Sequence, residues 1–244
     1  MVATEPTALK NQQLTQARSD LGTFWHRARS VAIAAKLASV EAREIADVGA
    51  GAGHLGGWLA ANHPEIRYRF LEPMVELSDH LADRFGADNR LTEMSGIASA
   101  DAVTLLDVLE HIEDDNAFLA EIFEHLAPGG HLFLTVPAGQ WLFSDWDTKL
   151  GHFRRYSRGQ LRTIVGAAGF DVVSATYLFP ELVLPAAARK FQRDDGNDDE
   201  GQSAEFPELP TVVDRIAYGV CRTSIALDRV WPIGTSILLG ARKP

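Results

Sequence analysis

Short apolar runs alternate along the chain with longer stretches in which apolar residues recur at helical spacing. The runs Glu44 to Val48, Tyr68 to Leu71, Arg90 to Glu93, Ala102 to Leu106, His131 to Val136, Phe170 to Tyr177 and Ser236 to Ala241 read as strands. Between them, Asp115 to Leu126 sets Phe118, Leu119, Ile122, Phe123 and Leu126 on one helical face, and Pro128-Gly129-Gly130 ends that helix. His54 to Ala61 and Gly159 to Ala168 are helix-like as well. Strands and helices in alternation make an α/β fold with a parallel sheet. Upstream, Val31, Ile33, Ala34 and Leu37 form the apolar face of an N-terminal helical arm that packs on the core. Ligands of open sheets bind beyond the carboxyl ends of the strands, so Asp47, Glu72 and Asp107 should face one crevice.

The turn Asp47-Val48-Gly49-Ala50-Gly51-Ala52-Gly53 joins the first strand to the first core helix. Glycines let the backbone turn sharply and approach a ligand, and the helix start adds free N–H donors and a positive dipole end. Glu72, about 25 residues beyond Asp47, ends the next strand, where an acid can accept both hydroxyls of a ribose. That acid suits NAD or an adenosine equally, and the glycine spacing breaks the tie. The dinucleotide pattern is G-x-G-x-x-G, cradling a pyrophosphate; here it is G-x-G-x-G preceded by an acid. Asp47 would repel a pyrophosphate but bind an ammonium, which points to an amino-acid-bearing cofactor.

IADVGAGAG, FLEP, DAVTLLDVLEHIEDD and LAPGGHLFLTVP, in that order, resemble the class I S-adenosylmethionine-dependent methyltransferases. The resemblance implies a Rossmann-like seven-stranded sheet with helices on both faces, its last strand antiparallel between the fifth and sixth. It also implies that Asp47, Gly49, Gly51 and Gly53 hold the methionine part of the cofactor, that Glu72 binds the ribose, and that Pro73 and Met74 border the adenine. Asp107 joins this cofactor side. The segment Glu93-Met94-Ser95-Gly96-Ile97 lacks a clear acid after its strand, leaving the adenine contact there among Met94, Ser95 and Gly96, with Ser95 carried as the candidate. S-adenosylhomocysteine would be the product. The alternatives are a non-catalytic S-adenosylmethionine-binding regulator or an NAD-dependent oxidoreductase; the glycine spacing and the lack of a Tyr-x-x-x-Lys set oppose the latter.

Three segments can build the acceptor side. In Leu106 to Ile112, His111 is a candidate general base, although Glu110 and His111 recur in such methyltransferases with different acceptors and the preferred reading is that they shape the pocket. GHFRRYS, within Lys149 to Arg158, concentrates positive charge and resembles a subgroup in which it follows the fifth strand. Arg154, Arg155 and Arg158 can anchor an anionic acceptor while His152 or Tyr156 handles a proton, the competing reading being ion pairs that fix the loop. In the arm, Thr23-Phe24-Trp25-His26-Arg27-Ala28-Arg29 places Trp25 and Arg29 nearest the cofactor, as a lid that excludes water. The mechanism expected is in-line displacement on the sulfonium methyl by an oxygen, nitrogen or carbon nucleophile.

Composition narrows the partners. The chain has 244 residues, 46% hydrophobic, and a net charge of −10, which fits one globular domain and argues against a nucleic-acid partner. Within it the arm spans 1–40, the cofactor core 41–180, a helical insertion 181–234 and the last strand 235–244. The insertion, Leu178 to Arg193 and Val212 to Trp231, is amphipathic; covering the acceptor pocket is preferred over a homodimer seam or a lipid contact. No apolar run reaches the ~18 to 20 residues that span a bilayer, and the polar start does not read as a signal peptide, so a cytoplasmic protein without stable membrane insertion is expected. Cys221 reads as a buried inert thiol. Asp194, Asp195, Asp198, Asp199, Glu200, Glu205 and Glu208 lie in a stretch, 193–210, that reads as a mobile surface loop and fits no calcium pattern; no metal site is expected. The acceptor is expected to be a small molecule or glycan.

Overall fold

A computed structural model describes residue 14 and residues 22–191, 209–228 and 230–244. In chain order the elements are α1 (Phe24–Ser39), β1 (Glu44–Val48), α2 (His54–Asn62), β2 (Arg67–Leu71), α3 (Val75–Phe85), β3 (Ala102–Leu106), α4 (Asp115–His125) and β4 (His131–Pro137). They continue with α5 (Asp145–Lys149), α6 (Arg158–Ala167), β5 (Asp171–Leu178), α7 (Val183–Phe191), α8 (Thr211–Ala226) and β6 (Ser236–Arg242). The acidic stretch expected to be a loop lies almost wholly outside the described residues.

The described strands form a six-stranded sheet in the order β2-β1-β3-β4-β6-β5. β1, β2, β3 and β4 pair in parallel, and β6 is antiparallel to both neighbours. The last strand thus enters between β4 and β5 as expected. Successive residues alternate between two cores, the period-2 consequence of the pleat. Ile45, Ala102, Phe133 and Leu238 pack with α1, α2, α3 and α8, whereas Ala46, Val103, Leu105, Leu132 and Leu134 pack with α4 and α6. Leu119 and Ile122 of α4 are fully buried, each stabilising by about 1.5–3 kcal/mol through removal from water. Asp114 caps that helix by accepting from the Ala117 N–H at 3.0 Å.

The expected strand Arg90 to Glu93 does not form, which reduces seven strands to six. Only one bridge, Arg90 to Phe70, is made, with Leu91 N–H donating to the Phe70 carbonyl at 2.7 Å. Of the run only Leu91 is buried; Thr92 and Glu93 are exposed, and the chain turns at once into a 3₁₀ helix over Met94–Ser99. One buried side chain gives too little packing to extend the sheet edge.

The arm is clasped by the insertion. Asp214 of α8 accepts from the Phe24 N–H at 2.9 Å and pairs with Arg27, whose guanidinium also lies over the Tyr218 ring. No helix among the described residues is long and apolar enough to cross a membrane.

Candidate active site

A cavity of about 290 Å³ opens beyond the carboxyl ends of β1, β3 and β4. Asp47, Gly49, Ala50, Gly51 and Ala52 form one wall, and Asp107, Glu110, His111, His152 and Arg155 contribute to another. Trp25 and Arg29 of α1 line it too, as do Leu182 and the α7 residues Pro185, Ala186 and Arg189.

The glycine turn is locally determined. Gly49 has φ +73°, and a Cβ there would stand 2.6 Å from Val108; Gly53, the N-cap of α2, has φ +71°, and its Cβ would stand 2.4 Å from Leu81. Both positions exclude a side chain for steric and backbone reasons. Asp47 is buried, accepting from the Thr104 hydroxyl at 2.6 Å and the Tyr68 hydroxyl at 2.9 Å. Burial raises its carboxyl above the ordinary range, against the lowering effect of those bonds and of Arg29. A cation beside it would offset the cost of burying its charge. Glu72 accepts from the Gly51 N–H at 2.7 Å and the Met74 N–H at 2.9 Å, tying the end of β2 to the turn.

Asp107 follows β3 in a left-handed conformation, φ +58°, and accepts from the Thr135 hydroxyl at 3.1 Å. Its other oxygen pairs with Arg29, which stacks over the Trp25 indole at 4.4 Å. The arm is thereby fastened to the carboxyl end of β3. His26 and His54, to which the sequence reading gave no role, also line the cavity with ring centroids 4.2 Å apart; burial, then His54 and Arg29, holds His26 well below the usual imidazole range. Their positions, in the aromatic stretch of the arm and directly after the glycine turn, were the available signal.

The basic segment divides between two buried acids. Asp147, fully buried, accepts on Oδ1 from His152 Nδ1 at 2.9 Å and Arg155 Nε at 2.8 Å, and on Oδ2 from the Ser144 N–H at 3.0 Å. Burial pushes its carboxyl up, but the bonds and charges of His152 and Arg155 outweigh burial and hold it below the ordinary range. Asp115 instead takes Arg154 at 2.7 Å and the Tyr156 hydroxyl at 2.9 Å. Arg154 and Tyr156 are absent from the cavity wall, and the Tyr156 side chain is sealed in the core with its hydroxyl raised in pKa by burial and Asp115. The acceptor-side role expected of these two residues therefore finds no support in their placement, because Asp115 draws both inward. Gly53, Glu72, Pro73, Met74 and Ser95 likewise stand outside the wall, and Pro73 and Ser95 are exposed.

Glu110 is fully buried and neither carboxylate oxygen has a hydrogen-bond partner. Burial and the Asp107 charge hold its carboxyl well above the usual range. Burial, then His152, brings His111 down to about 3 against a backbone hydrogen bond at Gly151, so its imidazole is neutral at pH 7. The His111 and His152 rings meet edge to face, 4.7 Å apart. Arg189 stacks on Trp146 at 4.3 Å on the same side of the cavity.

Residues 22–175 match the model of a methyltransferase domain family. Over 84 residues the chain is 32% identical to a protein of Mycolicibacterium smegmatis named "Probable S-adenosylmethionine-dependent methyltransferase", covering 34% of this chain and 33% of that one. It is 25% identical over 169 residues to trans-aconitate 2-methyltransferase of Deinococcus radiodurans, covering 59% of this chain and 64% of the relative. The chain thus spans about a third and just under two thirds of these relatives' lengths. Its fold is similar to that of a crystal structure from Galdieria sulphuraria described as a "putative sarcosine dimethylglycine methyltransferase", with TM-score 0.59, 17% identity, and 89% and 86% of the two chains covered. The match over most of the sheet, together with an acid-led glycine turn at the end of β1, shows that the chain belongs to the methyltransferase domain family, among the class I S-adenosylmethionine-dependent methyltransferases.

Proposed function

We propose that this protein methylates an anionic small molecule, with S-adenosylmethionine on the glycine-turn side of the cavity and the acceptor between the His111–His152 pair and Arg155 and Arg189. The observation that carries this reading is the buried Asp147, which orients His152 and Arg155 together on the wall of the cavity that also contains the glycine turn. When bound, the cofactor supplies a methyl already activated on a sulfonium, so the chain has only to position the partners, exclude water and handle a proton.

Asp47 suits the cofactor's ammonium, and the Gly49 to Gly53 turn its carboxylate. Glu72, anchored beside the glycine turn by two backbone N–H groups, is the acid that takes the ribose hydroxyls, with Pro73, Met74 and Ser95 bordering the adenine. Asp107 and Arg29 with Trp25 close the arm over this side. Across the cavity, Arg155 and Arg189 provide the positive field for an anion, and His111 and His152 border its nucleophilic atom. A cavity of about 290 Å³ favours a small molecule over a polymer. The relative named for trans-aconitate, a carboxylate, agrees in acceptor charge.

The test is S-adenosylhomocysteine formation across a panel of small carboxylates and phosphate esters, each beside a neutral analogue. Turnover confined to the anions, with KM raised in Arg189→Ala, is expected. Equal turnover of the neutral analogues would refute the anionic reading.

A further inference from the structure

Glu110, His111 and His152 bring a carboxylate oxygen and two imidazole nitrogens within 4.8 Å of one another. Glu110 is fully buried with both oxygens unpartnered, and a buried polar group in that condition calls for a water, ion or ligand to complete it. His152 is oriented from behind: its Nδ1 is engaged by Asp147 at 2.9 Å, which leaves Nε2 to face a ligand. Asp147 is itself fixed by Arg155 and Ser144. A carboxylate behind an imidazole is how proteins commonly set the tautomer and direction of a metal-binding histidine.

We propose that Glu110, His111 and His152 form a binding site for one divalent transition-metal ion of the zinc, manganese or iron(II) class, with an open position toward the cavity. Two imidazoles and one carboxylate are the donors such ions take, whereas calcium and magnesium favour oxygen throughout. Metal–donor bonds of about 2.0–2.2 Å put neighbouring ligands about 3–3.5 Å apart, so the side chains draw together on binding. The backbone already holds the two segments in register, because the Phe153 N–H donates to the Glu110 carbonyl at 2.8 Å. An oxygen of the acceptor bound at the open position would lose its proton to solvent or buffer more readily and attack as the anion. That consequence rests on the acceptor-side reading above; ion binding itself does not.

The experiment is titration of the tag-free, chelator-treated full chain with Co²⁺, followed by visible absorption. One equivalent should produce a saturable d–d band, and Glu110→Gln and His152→Gln should each weaken it by about tenfold or more, by the scale of losses at such sites. Circular dichroism and calorimetry with S-adenosylmethionine establish that each variant is folded. No saturable band in the folded wild-type chain, or a band unchanged in both variants, overturns the site. Co²⁺ bound with the expected variant losses, in a protein that methylates no anion, upholds the metal site and rejects the acceptor reading.

Discussion

His152 Nδ1 lies 2.9 Å from Oδ1 of Asp147, a carboxylate with no exposed surface. The same oxygen accepts from Arg155 Nε, so one buried acid aims an imidazole and a guanidinium at the cavity. Asp147→Asn keeps the volume and removes the negative charge that both partners face. Turnover should fall by about 10- to 100-fold, the usual consequence of losing such a supporting group, while S-adenosylmethionine affinity is retained. S-adenosylhomocysteine formation and calorimetry measure the two; unchanged turnover would mean that His152 and Arg155 need no such guide.

Adjacent arginines should respond in opposite ways. Arg154 pairs with the nearly buried Asp115 and donates to the Glu113 carbonyl at 2.7 Å, away from the cavity. Arg154→Ala leaves Asp115 with only neutral partners and should lower stability by about 1–3 kcal/mol, less than for a fully buried pair because Arg154 is partly solvated. Its turnover per folded molecule should persist. Arg155→Ala should reduce turnover with cofactor affinity intact. Thermal melts beside rate measurements separate the cases, and equal loss of turnover in both would put Arg154 back at the acceptor.

The division of these arginines marks where the sequence stopped being legible. Asp47, the glycine turn and the arm residues Trp25 and Arg29 could be placed at the cavity because each sits at the end or on the face of one element, whose direction follows from local periodicity. Which arginine turns inward depends on Asp115 from α4 and Asp147 from α5, brought near only by tertiary folding. The Arg90–Glu93 run misled for the converse reason: its composition fits a strand, but a sheet edge needs buried side chains that only Leu91 supplies. The meeting of His111 and His152 has no spacing signature, since the loop after α5 carries one to the other.

Gly53→Ala should destabilise the fold through the backbone. The position has φ +71°, and its Cβ would stand 2.4 Å from Leu81, which is fully buried. A loss of about 1–3 kcal/mol is expected, seen as a lower unfolding midpoint in urea. An unchanged midpoint would show that α2 can start without a left-handed residue.

Asp47→Asn should separate stability from binding. Burial raises the Asp47 carboxyl above its reference value of 3.8, so as pH rises the unfolded chain loses this proton first and the native state loses stability until its own, higher pKa is passed. The asparagine removes that contribution, and the Thr104 and Tyr68 hydroxyls can rotate to meet an amide. Urea unfolding from about pH 4 to pH 7 should therefore show the variant gaining on the wild type as pH rises. Cofactor affinity should move the other way, weakening by about 1.5–3 kcal/mol, because a charged ammonium loses its ionic partner. A stability difference independent of pH would mean that Asp47 is not carrying a burial cost. Undiminished affinity for S-adenosylmethionine in the folded variant would mean that the ammonium binds elsewhere.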